Sequence, residues 1–71
     1  MDINNETIDH VFTYHAPTED QPARYAAMRE GAKVFAKAIL DNSKGSRERS
    51  AALTLLQQAL HMANAGVAIN G

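Results

Sequence analysis

The sequence predicts an all-α protein: an N-terminal arm followed by an antiparallel two-helix hairpin that assembles as a homo-oligomer. Three observations carry this reading. Two long stretches, about 21–41 and 46–69, repeat apolar residues at three- and four-residue steps, the period of a helix with a buried seam. Ser43-Lys44-Gly45-Ser46 separates them, a connection of the length that joins antiparallel helices. Finally, 71 residues offer little interior. Such a chain buries only roughly 60% of the surface its unfolded form exposes. Ordering it costs on the order of 1.5 kcal/mol per residue, which nearly cancels the gain from burial. Cysteine is absent, so no disulfide can help, and His10, His15 and His61 stand at no metal-ligand spacing. No metal or cofactor is expected. Oligomerisation remains.

Residues 1–19 form the arm, with room for a short helix after Asn4 or Asn5. Val11-Phe12-Thr13-Tyr14 has strand-like composition but is too short and isolated for a sheet. Ala16-Pro17 ends any regular element, because the residue before proline avoids the α region. Residues 20–71 form the hairpin. Its first helix opens at Asp20-Gln21-Pro22, where proline in the first turn lacks only an amide that would be unpaired anyway. Tyr25, Met28, Ala32, Phe35 and Ile39 form its expected seam.

Ser46 is the expected N-cap of the second helix. Leu53, Leu56, Leu60, Ala63 and Val67 form one apolar seam there, and Ala52, Leu55, Ala59, Met62 and Gly66 a second beside it. One partner helix covers one stripe, so the second stripe requires another protomer. The alternative is that the arm folds back over it through Phe12 and Tyr14, each contributing roughly 1.5–3 kcal/mol if fully buried.

Catalysis is not expected: there is no nucleophile motif, glycine-rich phosphate loop or metal box. A net charge of −1 gives no bias toward duplex DNA or RNA or toward a membrane, and no apolar run could span one. The polar, acidic N-terminus is unlike a secretory signal, so a cytoplasmic location is expected. Anion binding has more support. Arg29, Lys33 and Lys37 recur at i, i+4 and i+8 on one helical stripe. Lys44, Arg47 and Arg49, with Ser43, Ser46 and Ser50, surround the start of the second helix, where free amides favour anions. A solvated face would explain the same charges. Phe12, Tyr14 and His15 on the arm could stack on bases; Phe12 and Tyr14 could equally pin the arm, and His15 could close a turn. Asn64, within an apolar stretch, could fix an interface register or lie on the outer face.

An ordered set of residues then matches a known pattern. It comprises Phe12-x-Tyr14-His15-x-Pro17; Gln21-x-x-Arg24-Tyr25-x-x-Met28-Arg29-x-x-Ala32-x-x-Phe35-Ala36-x-x-Ile39; Ser46, Glu48, Ala52 and Leu53; the stretch from Leu55 to Ala59; and Met62-Ala63-Asn64-Ala65. From about Phe12 to Ile69 the chain resembles the phage anti-CBASS cyclic-oligonucleotide sponge family, whose hairpin is shared with anti-Thoeris sponges. The resemblance implies a helical homohexamer in the host bacterial cytoplasm. It would bind cyclic dinucleotides, and also cyclic trinucleotides, without breaking a bond. It implies Tyr14 for stacking and Arg29 or Lys33 on the phosphates, with Ser46, Arg47 and Arg49 at a separate trinucleotide site. Met62 stands where the family often has tryptophan, and Ile69 where it often has a basic residue; the second departure bears on the ligand contacts. The alternative to a sponge is a helical adaptor or inhibitor acting through protein–protein contacts.

Overall fold

The computed structural model describes residues 3–71; Met1 and Asp2 of the expected arm lie outside the described residues. Three helices follow in order, α1 (Asn5–Phe12), α2 (Gln21–Asn42) and α3 (Arg47–Asn70), with no strand among the described residues. Each begins where side-chain chemistry directs it. Asn4 caps α1, its Oδ1 accepting from the Thr7 amide at 2.9 Å. Pro22 lies in the first turn of α2. Ser46 caps α3, its Oγ accepting from the Arg49 amide at 3.0 Å. α2 stops where Asn42 Nδ2 donates to the Ala38 carbonyl at 2.8 Å and the Ser43 hydroxyl donates to that of Ile39. The Ser43 bond closes one of the last four carbonyls, which lack a partner within the helix. α3 ends at Gly71, whose φ of +87° is the left-handed conformation that favours glycine.

The strand-like residues Val11 and Phe12 are the last turn of α1. Eight residues are too few for a helix to stand alone. The cap at Asn4 and docking against α3 outweigh the intrinsic preference of valine and phenylalanine for extended backbone.

α2 and α3 pack as the antiparallel pair. Tyr25, Met28, Ala32, Ala36 and Ile39 are half-buried on α2, facing Leu53, Leu56, Leu60, Asn64 and Val67 on α3. This differs from the expected seams at two positions. Phe35 is 58% exposed and Ala36 takes its place. Small Ala32 and Ala36 line the centre of the contact, while the wide Phe35 ring spreads into a groove beside it with Ala59 and Ala63. On α3, Ala63 is exposed and Asn64 is half-buried.

The arm does fold back, but not through its aromatics. Thr7, His10 and Val11 of α1 face Met62, Gly66, Ile69 and Asn70 of α3, whereas Phe12 and Tyr14 are each 83% exposed. α1 therefore lies beside the C-terminal part of α3 with a groove between them, and leaves much of the second stripe open. Leu55 at 64% and Met62 at 72% exposure stay largely open.

Nothing here is an interior. The molecule measures 44 × 29 × 14 Å, one layer of helices thick. Its radius of gyration is 15.5 Å, against about 11 Å for a compact domain of this length. No apolar side chain among the described residues is fully buried; the one buried residue is polar, Gln21, at 3% exposure.

Candidate functional site

The sequence-predicted site residues fall into three groups along the hairpin. The arm carries the aromatics. α1 ends with two carbonyls closed by side chains that follow it: the Thr13 hydroxyl donates to the Asp9 carbonyl, and His15 Nε2 donates to the His10 carbonyl at 2.7 Å. His10 Nε2 lies 2.7 Å from Asn70 Oδ1, tying α1 to the last residue of α3. The two imidazoles meet edge to face, with centroids 4.9 Å apart and planes at 72°. His15 is half-buried in this contact. Phe12 and Tyr14 project away from it with their ring faces open, as stacking on a planar ligand requires.

The second group lies along α2. Arg29, Lys33 and Lys37 are all exposed. Lys33 Nζ sits 3.3 Å from Glu30 Oε1, an exposed i,i+3 pair that contributes little and can be exchanged for a phosphate. Arg29 makes no ion pair among the described residues. Arg29, Lys33 and Gln57 rim a groove of about 210 Å³ floored by Ala32, Leu53 and Leu56. Sites for drug-sized ligands run to roughly 300–1,000 Å³, so this groove alone is too small to enclose one.

The third group, Ser46, Arg47 and Arg49, starts α3 and is largely occupied with the turn. Ser46 Oγ is the cap, and Arg49 Nη1 donates back to the Ser43 carbonyl at 3.1 Å. Glu48 places a carboxylate in the first turn, where the helix dipole would otherwise favour a bound anion. Arg47 remains exposed, with no ion pair among the described residues. α2 holds 22 residues, which at about 1.5 Å each separates the arm end from this turn by roughly 33 Å. The first and third groups of one copy cannot touch the same small ligand.

Sequence reasoning did not foresee the bonds that His10, Gln21 and Asn70 make. Gln21 Nε2 donates to the Val67 carbonyl at 3.2 Å, and Arg24 Nη2 to the Gly71 carbonyl at 3.0 Å. With His10–Asn70, these bonds fasten the end of α3 to the other two helices. The Asp20 carboxyl is held below its ordinary value, mainly by the Thr18 hydroxyl, then by its own backbone amide and Arg24. A groove of about 660 Å³ between α1 and α3 is lined by Val11, Met62 and Ile69 with Glu6 and His10 at its edge. Neither lysine nor arginine lines it, so it does not suit phosphate. Asn64 Oδ1 is covered and has no hydrogen-bond partner among the described residues.

No cluster of three or more histidine, cysteine or acidic side chains that could hold a metal occurs among the described residues. No described helix is long and apolar enough to cross a membrane. Neither curated proteins nor solved structures provide a match. A family model described as Acb2/Tad1, hairpin domain, matches residues 4–68, which takes in α1, α2 and nearly all of α3. The chain therefore belongs to the Acb2/Tad1 hairpin family, the anti-CBASS and anti-Thoeris sponges, whose hairpin is a binding domain and not a known enzyme.

Proposed function

We propose that this chain is a phage sponge that sequesters cyclic di- and trinucleotide immune signals in the host bacterial cytoplasm, as a homo-oligomer, and so silences CBASS-type defence. The observation that carries the reading is the exposed Tyr14 on an anchored arm, in a sponge-family hairpin that in this chain bears a groove on α2 rimmed by Arg29 and Lys33. A cyclic dinucleotide has flat bases and paired phosphates. Tyr14, with Phe12 beside it, suits the bases, at roughly 1–3 kcal/mol per stacked base. Arg29 offers a bidentate fork to a phosphate, and Lys33 a point charge. Ser46, Arg47 and Arg49 would serve the larger trinucleotide ring only at a junction where another copy supplies further contacts. The open Leu55, Met62 and Phe35 side chains favour such assembly, because covering each would contribute roughly 1.5–3 kcal/mol. A hexamer is the expected state.

The mechanism needs no chemistry. Signal is silenced by mass action, so the sponge must outnumber the messenger and bind it more tightly than the host receptor does. Calorimetry against 3′,3′-linked cyclic dinucleotides and cyclic triadenylate tests this, followed by recovery of the ligand after denaturation. Binding with intact ligand recovered is expected. No binding to any of them would sink the proposal, and altered ligand would make the protein an enzyme.

A helical adaptor that docks on a host protein is the second reading, favoured by the same open Leu55 and Met62. Under it, Tyr14→Ala and Arg29→Ala would leave anti-defence activity intact, whereas Met62→Glu would abolish it.

A further inference from the structure

We propose that Thr13, His15 and His10 are positioning residues that hold Tyr14 outward for its ligand, and that His15 does this in place of touching the ligand itself. The inference rests on the sponge reading in one respect: it takes Tyr14 as the stacking residue.

Thr13 follows α1 in extended backbone, φ −88° and ψ 144°. Successive side chains on extended backbone point to opposite sides. Thr13 and His15 turn inward and close the Asp9 and His10 carbonyls, so Tyr14 between them is thrown outward, 83% exposed. Each inward bond also satisfies a carbonyl that the end of α1 leaves without a helical partner. The local clamp and the helix terminus are one structure.

The clamp is then fixed to the hairpin. A carbonyl can only accept, so His15 Nε2 carries the proton. With Asn70 Oδ1 facing it, His10 Nε2 carries one as well. His10 thus accepts at its backbone from His15 and donates at its ring to α3, while its imidazole meets that of His15 edge to face. The path from Tyr14 to α3 runs through one residue on either side of a short helix end. Without it, Tyr14 would sit on a loose strand, and ligand binding would have to order that strand, weakening affinity.

The experiment measures binding of a 3′,3′-linked cyclic dinucleotide by calorimetry, using the full chain. The variants are Tyr14→Ala, His10→Ala, His15→Ala, His15→Gln, Asn70→Ala and the double variant Tyr14→Ala/His15→Ala. His15→Ala should weaken binding about tenfold. His15→Gln should restore most of it, because glutamine Nε2 can donate to the same carbonyl. In the Tyr14→Ala background, His15→Ala should change affinity by less than about twofold, since a residue acting through another has nothing left to position. Amide hydrogen exchange across residues 5–16 should quicken in His15→Ala and His10→Ala while α2 and α3 stay protected. Asn70→Ala, acting from the far side of the same path, should weaken binding in the same direction, and it decides the matter should His15→Ala lose helix content.

An equal loss on His15→Ala in both backgrounds would show that His15 touches the ligand and would overturn the proposal. Unchanged binding in His15→Ala and Asn70→Ala would overturn it also, with the sponge reading left standing. Failure of the wild-type chain to bind any cyclic nucleotide would overturn both.

Discussion

The two ends of the hairpin are built differently. At the turn end every bond is local: Ser46 caps the third residue after it, and Arg49 reaches back six residues to the Ser43 carbonyl. At the arm end, beside the local bonds of Thr13 and His15, three bonds join distant parts of the chain, Gln21 to Val67, Arg24 to Gly71 and His10 to Asn70. A local cap forms with its own helix. A long-range bond forms only once α2 and α3 have aligned, so the arm end reports the hairpin's register as the turn end cannot. The aromatics sit at the end that depends on correct docking, and the capping cluster at the end that does not.

Four substitutions break or sharpen this contrast. Leu60→Asp should have the largest effect, because Leu60 is half-buried midway along the seam that both ends share. Helical circular dichroism should collapse and neither end should survive alone. Gln21→Ala should come next, at about 1–3 kcal/mol, because it empties a buried polar site and removes a donor from the Val67 carbonyl. In urea titrations with hydrogen-exchange readout, α1 and the C-terminal turn of α3 should lose protection before the residues around Ser46. Ser46→Ala should cost about 1 kcal/mol through loss of the cap and should reverse that order of protection. Asp20→Asn should have the smallest effect. The Asp20 carboxyl is exposed and held below its ordinary value of 3.8. Its contribution is present above that value and fades as pH falls through the lower folded one. A shallow acid-side slope in wild-type stability that the Asn variant lacks would show it.

Much of the hairpin was legible in the sequence because it rests on period and punctuation. Pro22, Ser46 and the three- and four-residue spacing each carry a local physical preference that the fold obeys. Phe35 shows where spacing stops being informative: positions 35 and 36 both fit the period, and the narrower alanine allows the closer contact. α1 was faint because its stability comes from a cap and from docking, while its last residues are β-branched and aromatic. The bonds that His10, Gln21 and Asn70 make gave no signal. A polar residue near a helix end looks solvated unless the opposing helix end is known to lie against it. The aromatics and cations were visible as residue types, whereas their division into separate groups along the hairpin required the helix geometry.

A protein 14 Å thick has no part that neighbours cannot reach. Its apolar residues are surface and would-be core together, so separation of the proposed subunits and loss of the fold become nearly one event. The melting temperature should then climb with protein concentration, as it does not for a domain with its own interior. Late in expression, when copies are plentiful, each chain would be sturdier than the first few made. The capacity to soak up a signal and the capacity to remain folded would therefore rise together.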